Sequence, residues 1–159
     1  TSELEKTVRQ GSNVQTRAAA MIALAYTHDL RYLSLFQGAL LDPNMTVRFG
    51  AVEALLILGD KAAEFQIANA ARGDQSFAVQ IYAAGGMWRR GDIFGREILL
   101  RLAQHPDWFV RAMAVHYLGE LGGGDEYRKL FSQLSNETYP AVKAELGSAL
   151  LNLQKYKDR

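Results

Sequence analysis

The sequence contains no cysteine, and its other absences are equally informative. Without cysteine there are no disulfides, no thiolate nucleophile and no cysteine-based zinc site. Compartment is not settled by that absence, and a cytoplasmic location is the expectation. There is no apolar run of eighteen or more residues, which excludes a hydrophobic membrane-spanning helix. With 18 basic against 17 acidic residues the formal charge is +1, too balanced for an electrostatic footprint on nucleic acid. No Gly-x-Ser-x-Gly element and no phosphate-binding loop occurs. Nor is there a period-2 run of β-branched residues to suggest a strand.

What the chain has in place of these is repetition. A Val-Arg step at Val47-Arg48 recurs as Thr16-Arg17, Val79-Gln80, Val110-Arg111 and Val142-Lys143. The cationic column therefore falls at 17, 48, 80, 111 and 143, at even intervals of 31 or 32 residues. Other columns keep the same register. Ala51 aligns with Ala20, Ala83, Ala114 and Leu146, and Leu55 aligns with Leu24, Met87, Leu118 and Leu150. Positions 47, 51, 54, 55 and 58 form one face of a helix. Asp42-Pro43 and His105-Pro106 read as helix openings, with proline in the first turn, and Gly59, Gly91 and Gly122 as left-handed stops.

The spacing predicts first helices (A) over about 13–26, 44–58, 75–89, 107–121 and 138–153. Shorter second helices (B) fall at about 29–41, 61–72, 92–104 and 125–134, three of them opened by Asp29, Asp92 and Asp125. Residues 2–10 read as a leftover or capping B helix. The segments DPNMTVRFGAVEALLILGD at 42–60 and HPDWFVRAMAVHYLGELGG at 105–123 resemble HEAT repeats, particularly the short bacterial kind first noted in phycobilin lyases. That resemblance covers about 12–154. It implies an all-α fold, an α-α superhelix built as a right-handed solenoid of about ten helices. Residues 1–159 are expected to form one domain with repeats at about 12–41, 42–73, 74–104, 105–136 and 137–154.

Within such an array the small Ala51 column allows close helix approach. HEAT-like repeats use the Arg48 column for a polar ladder with acids of the neighbouring repeat; the acidic column here reads Asp42, Asp74 and Glu137, with departures at Gly11 and His105. The ladder is expected to be weaker at those two places. Trp108, aligned with Val14, Met45, Phe77 and Pro140, is expected to pack in the core.

Chemistry-bearing residues are sparse. Deoxyhypusine hydroxylase resembles a HEAT-repeat protein that holds iron through His-Glu dipeptides. Here His28, His105 and His116 precede Asp, Pro and Tyr, and His116 with Glu120 makes only a single pair. No catalytic, cofactor or metal residues are assigned. The third repeat departs from its own rules: Gly85 and Gly86 lie mid-helix, inviting close packing or a bend. Arg90 takes the column of Leu58, Leu121 and Leu153. Trp88, Arg89, Arg90, Arg96 and Arg101, with Arg128 and Lys129, form the candidate basic–aromatic contact set.

The function expected is a non-catalytic interaction scaffold or adaptor. It would hold a protein or peptide on a concave face lined by B helices, with Arg31, Gln37, Lys61, Glu64, Asn69, Arg96, Arg101, Arg128 and Lys129 as candidate contacts. Two alternatives come by resemblance: an enzyme or enzyme subunit like the phycobilin lyases, and a nucleic-acid-binding module like the DNA glycosylases built from HEAT-like helices. The balanced charge argues against nucleic acid as a partner.

Overall fold

The computed structural model describes residues 2–159; Thr1, included in the expected domain, lies outside them. Ten α-helices follow one another, with three short 3-10 turns and no strand among the described residues. The A helices are α2 (Val14–Ala25), α4 (Met45–Leu58), α6 (Phe77–Arg89), α8 (Trp108–Leu121) and α10 (Pro140–Leu153). The B helices are α1 (Ser2–Gln10), α3 (Leu33–Ala39), α5 (Glu64–Gly73), α7 (Ile93–Leu102) and α9 (Gly124–Asn136). The 3-10 turns Leu30–Tyr32 and Lys61–Ala63 lead into α3 and α5.

Side chains cap these helices wherever a short polar residue precedes them. Asn13 accepts from the Thr16 N–H, Asn44 from Thr46 and Asp107 from Phe109. Asp29, Asp60 and Asp92 do the same for the B segments, each bonding the N–H two residues on. Two expectations need correction. Asp125 does not cap α9; Glu126 does, its carboxylate accepting the Gly123 N–H at 2.8 Å. Pro43 and Pro106 lie outside the first turn, ahead of the capping residues Asn44 and Asp107. Only Pro140 opens a helix directly.

The chain divides into two compact units, Thr1–Ala83 and Ala84–Arg159. In the first, α2 packs on α1 and α4, and α4 packs on α3. Its core is Met21, Leu24, Phe36, Val47, Ala51, Leu55 and Ile81, each at most 1% exposed. In the second, α8 packs on α7 and α10, and α10 on α9, around Leu99, Ala114, Leu118, Leu130 and Leu146. Small residues set the spacing. A Cβ added to Gly50 would fall 2.7 Å from Ala18 Cβ, and one on Gly119 would fall 2.4 Å from Ala149 Cβ. Trp108 is not a core residue. It is 36% exposed and stacks on Tyr139, ring centroids 4.5 Å apart, while Met45 of the same column is 49% exposed. The column is apolar, but it lies at the start of the A helices, where rings cover one another along the surface.

The stop column shows a different departure. Gly59 and Gly91 take left-handed φ of 71° and 89°. Gly122 instead is extended, with φ −78° and ψ −176°, because Gly123 and Gly124 lengthen the connection to α9. The same column one repeat earlier than Gly59 holds His28, whose φ is 52°. A Cβ in that region costs about 1–2 kcal/mol, and the His28 side chain is exposed. His28→Gly should therefore stabilise the protein by about 0.5–1 kcal/mol after the entropy that glycine adds to the unfolded chain. A rise in urea midpoint checks it.

Candidate interaction surface

The cationic column forms ion pairs with the acidic column one repeat on, as the register requires. Arg17 Nη2 meets Asp42 Oδ2 at 2.7 Å. Arg48 grips Asp74 in a two-pronged pair, Nε to Oδ2 at 2.9 Å and Nη2 to Oδ1 at 3.1 Å. Arg111 does likewise with Glu137, at 3.0 and 2.9 Å. The remaining nitrogen of each clamp ties down the turn before its own helix. Arg48 Nη1 donates to the Asp42 and Pro43 carbonyls, and Arg111 Nη1 to those of His105 and Pro106. Arg48 and Arg111 are thus structural staples, bonded to the fold through all three guanidinium nitrogens.

The acids have a second task, which explains the departures. Asp42, Asp74 and Glu137 also accept N–H groups at the start of the next A helix, from Asn44, Ser76 and Tyr139. His105 keeps that half of the role, its Nδ1 accepting the Asp107 N–H at 3.0 Å. The cationic position one repeat before His105 is correspondingly neutral: Gln80 donates Nε2 to the Asp74 carbonyl at 2.7 Å. Arginine and acid are therefore lost together, and among the described residues no ladder guanidinium is buried without a carboxylate.

The hydrogen bond from Arg111 holds the Glu137 carboxyl below its ordinary 4.5, against the opposing pull of burial, with the Tyr139 and Thr138 N–H groups assisting. A depressed folded-state value means stability that is complete above about 4.5 and is lost as pH falls through the folded value. Acid titration of unfolding free energy should show this loss, and Glu137→Gln should remove part of the slope below pH 4.5.

Part of the basic–aromatic set is tied to acids of the fold, and its exposure varies from residue to residue. Trp88 is half-buried near the end of α6. Arg89 pairs with Glu120 at 2.7 Å and lies 5.7 Å above the Tyr117 ring. Arg96 is bound to Glu126, the 4% exposed carboxylate that also caps α9, so it fastens α7 to the start of α9. Arg128 is paired with Asp125 at 2.5 Å. Arg90, Arg101 and Lys129 are exposed, and Arg90 lies just past the end of α6, which releases it from the apolar column it occupies in sequence. Gly85 resolves in favour of close packing: its position faces the Tyr117 ring, which an added Cβ would approach to 2.8 Å. His116 lies between two carboxylates, 3.0 Å from Glu145 and 3.8 Å from Glu120. Among the described residues no three histidine or acidic side chains are arranged to hold a metal ion.

Open space lies between successive B helices. In the first unit a cleft of about 500 Å³ between α3 and α5 is lined by Gln37, Gln66, Asn69 and Gln75, with Arg48 and Asp74 among the lining groups. In the second, a cleft of about 410 Å³ between α7 and α9 is lined by Gln104, Lys129, Ser132, Gln133 and Asn136. Gln37, Asn69 and Lys129 were named from the sequence as candidate contacts, and all three border these clefts. Gln66 was not, although its place on the α5 turn preceding Asn69 was a usable signal.

Residues 66–151, more than half of the chain, match the family model for HEAT repeats. The chain belongs to the HEAT-repeat family. None of the curated proteins matches it. HEAT repeats generally mediate protein–protein interaction, and in this one the ladder arginines are held within the fold while the clefts between B helices stay open. No helix among the described residues is long and apolar enough to cross a membrane.

Proposed function

We propose that this HEAT-repeat protein is a non-catalytic interaction module that holds a protein partner along the exposed surface of its B helices. The observation that carries this reading is the recurrence, once in each unit, of a polar-lined cleft between successive B helices. Volumes of about 500 and 410 Å³ are in the range that accommodates several side chains of a ligand. Asn69 borders the first cleft and Lys129 the second, and both are exposed, as is Arg101 on α7. Arg101 and Lys129 supply positive charge on α7 and α9, which favours a partner segment with acidic character.

Cross-linking in the native host, with wild type beside an Arg101→Glu/Lys129→Glu double variant, tests the assignment. The expected result is a discrete protein partner whose yield falls at least tenfold in the variant, with helicity and urea midpoint unchanged because both sites are exposed. A partner captured equally by both forms would show that the contact surface lies elsewhere.

A further inference from the structure

Neighbouring A helices meet at close approach. Between α2 and α4, Ala18 and Met21 lie against Gly50, and between α8 and α10, Gly119 lies against Ala149. Each contact joins a forward face, turned to the next repeat, with a backward face, turned to the previous one. In the repeat register the forward columns run from Ala18 to Ala144, from Met21 through Val52 and Val115 to Gly147, and from Ala25 through Gly119 to Leu151. The backward columns run from Ala19 through Gly50 to Glu145, and from Ala23 through Ala54 to Ala149.

Within the fold these faces are covered. Met21, Ala25, Val52 and Val115 on the forward side are fully buried, and Ala54 and Ala149 on the backward side are buried. Two faces are not. On α10 the forward face is open: Ala144 is exposed, Leu151 is 73% exposed, and a Cβ added to Gly147 would meet nothing within 4 Å. On α2 the backward face is open, with Ala19, Ala23 and, one turn on, Tyr26 exposed. These are the two halves of one contact. The register sets Leu151 against Ala23, as Gly119 is set against Ala149, and Ala144 against Ala19, as Ala18 is set against Gly50.

We propose that α10 of one copy docks on α2 of a second copy, so that the chain associates head to tail by continuing the packing of α2 on α4 and of α8 on α10. A second copy is the occupant because this one chain carries both halves of the contact in the same register. The contact is heterologous, so a dimer keeps one open face at each end and further copies add until a ring closes. Burial of Leu151 on the small Ala19 and Ala23 positions supplies the apolar drive. No ladder pair strengthens the joint, because the acidic column ahead of α2 holds Gly11 and Lys143 is exposed. A single helix pair is also smaller than a standard interface of about 1,600 Å², so the association is weak and depends on concentration.

Sedimentation equilibrium of the full chain at increasing concentration tests this. The weight-average mass is expected to rise from that of the monomer past that of the dimer. Ala23→Arg and Leu151→Arg each block one face, and each alone should remain monomeric where wild type associates. Mixed in equal amounts they should form a dimer and nothing larger, since each supplies the face that the other lacks. Both sites are exposed, so unchanged helicity and urea midpoint serve as the folding control. Ala19→Arg and Ala144→Arg, also at exposed sites, are the second pair should either variant fail that control. A wild type that stays monomeric to its solubility limit overturns the proposal. So does a single variant that associates like wild type, which places the contact elsewhere, or a mixture that stays monomeric. Arg101→Glu/Lys129→Glu lies on B helices and should leave the association unchanged, so loss of a protein partner and loss of self-association are separate results.

Discussion

Arg48→Ala should cost on the order of 3–5 kcal/mol, measured as the shift of urea unfolding at neutral pH. The Arg48 side chain is 8% exposed and that of Asp74 6%, so the pair is screened from water. Truncation removes the bonds to Asp74 and those to the Asp42 and Pro43 carbonyls. It also strands a carboxylate beneath the surface with only the Ser76 N–H still bonded to it. Most of the loss comes from that uncompensated charge and not from the net worth of the pair. Lysine is a poor substitute, because one ammonium cannot reach the carboxylate with two prongs and the turn carbonyls at once.

Ala51→Arg should be more severe still, leaving the protein insoluble or without a cooperative transition. Ala51 is fully buried, and so is Ala114 of the same column in the second unit. An arginine there must displace core side chains, costing about 1–3 kcal/mol for overpacking, and bury a charge without a partner. Together these effects rival the 5–15 kcal/mol by which a typical domain is stable. The control lies on another face of the repeat: Ala23 is exposed on α2. Ala23→Arg should stay within about 0.5 kcal/mol of wild type. Circular dichroism during urea titration distinguishes the two, and a folded Ala51→Arg would mean the register is misplaced.

The A helices were legible to within about two residues because each repeats one apolar face at a fixed interval, whereas α3 and α5 begin later than the expected 29 and 61 because 3-10 turns lead into them. The same register placed the ladder pairs correctly, since ion pairs join equivalent columns of neighbouring repeats. The sequence pattern departs from the structure where an apolar residue is not buried, or where a connection is lengthened. Trp108 is apolar yet lies at the rim of the repeat, where Tyr139 covers only one face of its ring. Asp125 yielded to Glu126 because two extra glycines moved the start of α9.

In sequence the basic patch is coherent because the anions of Arg89 and Arg96 lie 31 and 30 residues away. Arg89 pairs with Glu120, its own column one repeat later, and Arg96 with Glu126. Reading columns for charge as well as for apolarity would have revealed the first of these.

The register makes the arginine column structural, and the coupling between Arg48 and Asp74 tests that assignment most directly. A double-mutant cycle of Arg48→Ala, Asp74→Asn and the pair, followed by urea unfolding, yields a coupling energy. Structural staples predict a coupling in the range of about 1–3 kcal/mol, with the double variant more stable than the sum of the single losses implies. Additive losses, or an Arg48→Ala protein as stable as wild type, would contradict it.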